Sequence, residues 1–377
     1  MLLKFKKKLE NKHNKLYYIV AGEASGDLHG FHLMRSCKKV DSKINFRGIG
    51  GPKMKSRGLS SLVNFNRLAV MGFVEVFRDL LFFIKLKKFL IKDIKKHSPQ
   101  KIILIDYPGF NLSLAKTIKK TIDIPVFFYI SPQVWAWKET RVKQIKKNID
   151  KLIVIFPFEK EWYKKRGVEV EFFGHPLIDL IKKQKTTQVK NQTKVVGLFP
   201  GSRKQEILKH LPILQQTMVI LRKKKPEIKF VLCHAPGLDK TTKTLLQKIN
   251  VEKIVYNSEE AFQSCDAAIV TSGTATLECA ISQTPLVVIY KTSIISWLIA
   301  KYFLSIPFIS IVNIIANKKI VEECLQKNAT PQKIASETLQ LLKYPERMKE
   351  NLSKVKNSLG HSGVYKKTAQ FIINYSK

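Results

Sequence analysis

Short apolar runs alternate with longer amphipathic stretches along the first half of the chain. Leu16–Ala21, Lys43–Ile49, Ile102–Ile105, Val126–Ile130, Leu152–Phe156 and Val170–Phe173 read as strands. Leu28–Lys39, Phe77–His97, Leu112–Lys120 and Thr140–Lys147 read as helices. Apolar strands with helices between them predict a parallel sheet with right-handed crossovers. Leu180–Lys194 breaks the pattern: it is rich in Lys, Gln and Thr, has no apolar period, and reads as a linker. Beyond it, Val195–Phe199, Lys229–Cys233, Lys253–Tyr256, Ala267–Val270 and Leu286–Tyr290 repeat the strand runs. From Pro331 the chain reads as helices only, separated by Pro345 and Gly360. The expected fold class is α/β: two Rossmann-like domains, about 1–180 and 190–344, facing a central cleft, with a helical C-terminal tail. The last helices, about 345–377, either close the second domain or pack back on the first. At 377 residues the chain has room for two such domains.

In paired α/β domains, ligands lie where strands run into helices at their carboxyl ends. The informative loops fall at those places. Thr271–Ala280 follows a strand run and opens a helix, which leaves unpaired backbone N–H groups at a positive helix end. Ser272, Gly273 and Thr274 make this an anion site, most simply for phosphate, and Glu278 one turn on could hold a ribose. An ordinary capped helix explains the same stretch equally well. Ser202 and Arg203, in Pro200–Arg203, open another helix where a guanidinium can grip a phosphate, or simply close a tight turn. Asp106 ends an apolar strand, so its carboxylate is either a partly desolvated general base or a turn residue before Pro108. Glu23, Ser25 and Asp27 lie between Gly22 and Gly30 without dinucleotide-fingerprint spacing. Carboxylates repel a pyrophosphate, so this loop suits the hydroxyls of a sugar or other acceptor. His175 could contact substrate or satisfy a backbone bond.

Charge changes the picture of partners. The net charge of +38, from 67 basic and 29 acidic residues, favours anionic ones: nucleic acid, an acidic membrane surface or phosphorylated substrates. The helix Phe77–His97 carries Lys85, Lys88, Lys92 and Lys95 on one side and an unbroken apolar run at Leu80, Leu81, Phe82 and Phe83. It is either a core helix with a solvated lysine face or a helix lying on an anionic bilayer, and the apolar run favours the bilayer. The lysines decorate helices and do not interleave with aromatics on strands, which argues against nucleic acid. Ile294–Ala316 is long and apolar, but Lys301 and Pro307 interrupt it, so a helix to about Leu304 followed by an extended piece is expected in place of a membrane span. The five cysteines have no metal spacing and read as reduced core residues; no metal and no cofactor is expected. The basic N-terminus has no apolar region of a secretory signal.

Together the loops resemble the lipid-A-disaccharide synthase family of glycosyltransferases. The resemblance rests on Ala21–Gly30 (AGEASGDLHG), Gly48–Met54, Leu68–Val76 (LAVMGFVEV), Asp106–Asn111 (DYPGFN) and Ser131–Arg141 (SPQVWAWKETR). It continues through Phe156–Tyr163, Phe172–Leu177, Pro200–Glu206 (PGSRKQE) and Ser272–Glu278 (SGTATLE). It implies a GT-B fold, with the acceptor, 2,3-diacylglucosamine 1-phosphate (lipid X), on the N-terminal domain and UDP-2,3-diacylglucosamine on the C-terminal one. It implies inverting transfer to lipid A disaccharide 1-phosphate and UDP, by a cytoplasmic protein peripheral on the inner membrane of a Gram-negative bacterium; a homodimer is compatible with it. Asp106 matches the family's proposed base, and Asn313 matches a donor-side Asn. Gly109 stands where many members carry a second Asp, Val312 replaces the usual Pro before the Asn, and Ala316–Lys318 lacks the Arg often found just after it. The competing readings are another GT-B enzyme on UDP-GlcNAc, such as the cell-wall transferase or the 2-epimerase, and a basic nucleic-acid-binding protein.

Overall fold

The computed structural model describes residues 15–65, 80–181, 193–235, 237–293, 297 and 307–376. The chain divides into two compact units, residues 1–176 with 361–377, and residues 177–360. The motif Leu68–Val76, most of the linker Leu180–Lys194 and most of the segment Ile294–Leu304 lie outside the described residues.

The first unit is built from β1 (Lys15–Ala21), α1 (Ala24–Val40), β2 (Ile44–Ile49), α2 (Pro52–Lys55), β3 (Leu59–Ser61), α3 (Leu80–His97), β4 (Lys101–Ile105) and α4 (Pro108–Thr121). It continues with β5 (Val126–Tyr129), α5 (Arg141–Asn148), β6 (Lys151–Val154), α6 (Pro157–Lys164) and β7 (Val170–Phe172). All seven strands are parallel, in the order β3-β2-β1-β4-β5-β6-β7. Side chains of one sheet face, such as Val20, Leu104 and Phe128, pack with Leu90, Ile94 and Ala115 of α3 and α4.

The lysine-rich helix α3 is seated by one buried acid. Asp93 lies on its apolar stripe with Leu86, Leu90 and Ile94. Its carboxylate accepts from Arg47 Nε at 2.8 Å and Nη2 at 2.7 Å on β2, and from Tyr18 Oη at 3.1 Å on β1. The guanidinium holds the Asp93 carboxyl below the usual carboxylate range. Lys85, Lys88, Lys92 and Lys95 are left exposed. No described helix is long and apolar enough to cross a membrane.

The second unit holds α7 (Leu177–Leu180), β8 (Val195–Phe199), α8 (Lys204–Lys224), β9 (Lys229–Cys233), α9 (Lys240–Gln247), β10 (Lys253–Val255), α10 (Ser258–Gln263), β11 (Ala267–Thr271) and α11 (Thr274–Ile281). After them come β12 (Leu286–Tyr290), α12 (Ile311–Ala316), β13 (Glu322–Leu325), α13 (Pro331–Lys343) and α14 (Glu346–Ser358). Its sheet is also parallel, ordered β10-β9-β8-β11-β12-β13. Alternate strand residues face opposite helix layers. Leu198, Ile269 and Val287 pack under α8 and α13, while Phe199, Val270 and Val288 pack under α10, α11 and α14.

Three expectations about elements are corrected. Helix α1 begins at Ala24, so most of the loop Gly22–Gly30 is the first turns of a helix. Ile311–Ala316, expected to be extended, is helix α12, whose end falls at Asn317 in the left-handed region. The tail divides at residue 360 and not near 345. Leu352 and Val355 of α14 are buried in the second unit's core. Only α15 (Val364–Asn374) packs on α1 of the first unit. Lys101 Nζ fixes its end by donating to the carbonyls of Ile372, of Ile373 at 2.7 Å and of Tyr375 at 2.9 Å. A lysine ammonium at these orphan carbonyls satisfies them and the negative helix end together.

Candidate active site

In each sheet the strand order reverses once, between β1 and β4 in the first and between β8 and β11 in the second. Such a switch point opens a crevice at the carboxyl ends of the two strands. The loops singled out from sequence stand at both.

At the first switch point, Ala21 is in register with Ile105, so Glu23 and Asp106 leave adjacent strand ends. Asp106 and Tyr107 both have positive φ, +46° and +50°, unusual for residues with side chains. The turn is over-determined. The Asp106 N–H donates to the Tyr129 carbonyl at 3.0 Å. Buried Asn111 donates through Nδ2 to the carbonyls of Asp106 at 2.7 Å and Ile105 at 3.2 Å. Gly22 admits the Tyr107 ring, which a Cβ there would meet at 2.5 Å. Burial first, then the nearby Glu23 charge, pushes the Asp106 carboxyl up to about 6. Glu23 and Ser25 are exposed.

Asp27 does not share that site. It is buried, and its two oxygens accept from the backbone N–H groups of Gly51, Lys53 and Met54 at 2.8 to 3.1 Å. It holds the start of α2, which corrects its assignment as an acceptor-binding residue. Trp135 of the Ser131–Arg141 stretch is likewise consumed, donating from Nε1 to buried Glu159 at 3.1 Å. His175 is buried against Phe156, at 5.3 Å between ring centres, and burial lowers its pKa to about 3, so it stays neutral.

At the second switch point, Phe199 is in register with Val270. Pro200–Arg203 therefore runs beside Ser272–Thr274. Gly201 has φ of +117°, and a Cβ there would meet the Glu206 side chain at 3.0 Å. Arg203 is the residue before α8, its side chain 80% exposed, and Nη1 donates to Glu206 at 2.9 Å. Ser202, Gly273 and Thr274 are exposed, with open space where a Gly273 Cβ would stand. Ser272 is half-buried and donates to the Ile309 carbonyl at 3.3 Å. Glu278 is half-buried one turn into α11, its pKa raised by burial and eased by a bond from Ser258.

Asn313 has no bond left for a ligand. It is fully buried; Nδ2 donates to the Val321 carbonyl at 3.0 Å and Glu323 at 2.8 Å. Its Oδ1 accepts from Ile320 and Val321 N–H at 2.8 and 3.0 Å. It braces the turn between α12 and β13, which corrects its placement as a side chain lining a donor site. Sequence reasoning missed Asn111, and it missed His210, a ring buried under the second switch point. His210 shares the stripe of Ile207, Leu211 and Leu214 on α8, and that spacing was its available signal. Among the described residues no group of three His, Cys, Asp or Glu side chains could hold a metal ion, and all five cysteines are free.

A profile of the family described as lipid-A-disaccharide synthetase matches residues 17–373. The chain belongs to this family. A lipid-A-disaccharide synthase of Syntrophus aciditrophicus is 40% identical, over 97% of this chain and 99% of its own length. One from Geobacter metallireducens is 38% identical, over 96% and 97%. The fold is that of GT-B glycosyltransferases. UDP-GlcNAc 2-epimerase from Neisseria meningitidis, solved bound to UDP-GlcNAc, superposes with a TM-score of 0.62 at 13% identity, covering 96% of this chain and all of that one. MurG of Acinetobacter baumannii superposes with a TM-score of 0.57 at 12% identity, with the same coverage. At such identities the likeness is one of fold alone. Family membership makes this member of the lipid-A-disaccharide synthases a glycosyltransferase of lipid A biosynthesis.

Proposed function

We propose that the two switch points divide one reaction between them. The first takes lipid X and the second takes UDP-2,3-diacylglucosamine. Asp106 removes the proton of the acceptor 6-hydroxyl, which attacks the anomeric carbon with inversion as UDP leaves. The observation that carries this reading is the placement of a desolvated, raised-pKa carboxylate at one switch point and a hydroxyl-rich helix start beside an exposed guanidinium at the other. A base is effective when its pKa lies close to the working pH, and Asp106 at about 6 meets that condition. Arg203 with the N–H groups and hydroxyls of Ser272–Thr274 offsets charge developing on the departing diphosphate. Glu278 holds the ribose hydroxyls. Glu23 and Ser25 bind the acceptor sugar.

The acylated substrates sit in a membrane, and α3 offers a face for its surface. Leu80 and Leu81 are 58% and 73% exposed and share the helix with exposed Lys85 and Lys88. Phe82 and Phe83 pack partly against the core, with Phe83 5.8 Å from Phe110, so the contact is narrower than the apolar run suggested. The double variant Leu80→Ser, Leu81→Ser should float poorly with anionic vesicles yet keep its turnover in detergent. Undiminished flotation removes α3 from the membrane.

The deciding assay supplies UDP-2,3-diacylglucosamine and lipid X in detergent to wild type and to Asp106→Ala. The disaccharide should form, and the variant should lose ~10²–10⁴ in kcat with UDP still bound. A loss below tenfold would take the base role from Asp106. Turnover of unacylated UDP-GlcNAc alone would overturn the substrate assignment.

A further inference from the structure

One buried ring ties together three consecutive strand ends of the second sheet. His210 is fully buried on α8. Its Nδ1 lies 3.0 Å from the Pro200 carbonyl, at the end of β8, and 3.1 Å from Thr271 Oγ1, at the end of β11. Its Nε2 lies 2.9 Å from the backbone nitrogen of Lys291, just past β12. These contacts choose the tautomer. The Lys291 N–H can only donate, so Nε2 must be bare, and the proton must sit on Nδ1, facing the Pro200 carbonyl. A proton on Nε2 would set two donors against each other. Charging the ring would do the same in a dry interior. Burial accordingly lowers its pKa, and Lys209 and Lys291 add to that; Glu206 and the bond to Pro200 oppose them. Tyr290 supplies a neutral ring 6.1 Å away.

Pro200 opens one of the two loops proposed to hold the donor's diphosphate, and Thr271 is the strand residue that leads into the other. Gly201 packs close to Thr271, whose Cγ2 stands 3.5 Å from the position of a Cβ on Gly201. We infer that His210 is a positioning residue that sets the spacing of these two loops through a fixed, neutral imidazole. The inference rests on the reading that the loops bind the diphosphate of UDP. Anion binding by preorganised N–H groups tolerates little misplacement, so the ring acts on donor affinity without touching the donor.

Titration calorimetry with UDP tests this in His210→Phe, which keeps the ring shape and loses every bond, and in His210→Asn, which keeps a donor near Pro200. The dissociation constant should rise ~10- to 100-fold in the Phe variant and fall between the two in the Asn variant. The KM for the lipid acceptor should not change. In wild type, ring ¹⁵N correlation spectra should show a neutral Nδ1–H tautomer throughout pH 6–8. A folded Phe variant that binds UDP like wild type overturns the inference, as does a charged or Nε2-protonated ring. If the Phe variant does not fold, the Asn variant decides: UDP affinity within twofold of wild type overturns it. Wild type that fails to bind UDP overturns the donor reading itself, and the inference falls with it.

Discussion

The two switch points share a topology and differ in nearly every chemical respect. The first is acidic, partly dry and strained: Asp106 with its raised pKa, Glu23 beside it, and two successive residues at positive φ. The second is open and built of donors: Arg203, Ser202, Thr274 and the start of α11. A base gains from desolvation because its proton affinity rises. A diphosphate clamp gains from donors arranged beforehand, and it must admit a highly charged ligand from water. On the proposed reading, the same α/β frame serves proton removal in one sheet and leaving-group stabilisation in the other. Near both, similar residues are spent on structure. Asp27 and Asn313 look like ligands in the sequence, and both are buried and engaged within the fold, Asp27 by backbone N–H groups and Asn313 by backbone groups and Glu323.

At the second switch point, the largest effect that would sharpen this contrast is expected from Arg203. Arg203→Ala should lower kcat/KM by ~10²–10³, the cost of removing one preorganised donor from developing charge. Arg203→Lys should recover only part, since an ammonium cannot grip phosphate bidentately. The change should leave lipid X affinity alone. Steady-state kinetics with both substrates varied would show it, and a loss confined to the acceptor KM would break the division of labour.

Much of this was legible in the chain before its structure. Buried strands such as Ile102–Ile105 are apolar throughout and end at Asp or Gly, so the strand ends and their loops stand out. The elements that escaped include α2 and β3, four and three residues long and too short to show any period, together with α6, β13 and the helix α12 where extended chain was expected. Asp27, Asn313 and His210 escaped for another reason. Asp27 bonds to backbone 24 to 27 residues away, and His210 to partners 10, 61 and 81 residues away. Local sequence carries no trace of such bonds. A polar residue on a buried helical stripe, as at His210 and Asp93, is the one pattern that marks them in advance.

The subtlest test concerns how the acidic switch point is tuned. Burial comes first in raising the Asp106 pKa and the Glu23 charge second. A base works deprotonated, so kcat/KM should rise with pH through about 6 and level off above it. Glu23→Gln removes the repulsion, and the acid limb should move to lower pH. At pH 5 the variant should therefore keep a larger fraction of its own plateau rate than wild type does. The plateau itself reports only what Glu23 contributes to binding. Stability must run the opposite way to function. A carboxyl whose pKa is higher folded than unfolded binds its proton more tightly in the folded state. It therefore costs stability increasingly as pH rises from the unfolded value to about 6, and by a constant amount beyond. Asp106→Asn should then raise the melting temperature at pH 7.5 and leave it nearly unchanged at pH 4. A variant that is inactive yet no more stable at pH 7.5 would mean that the site does not pay for its base with strain in the fold.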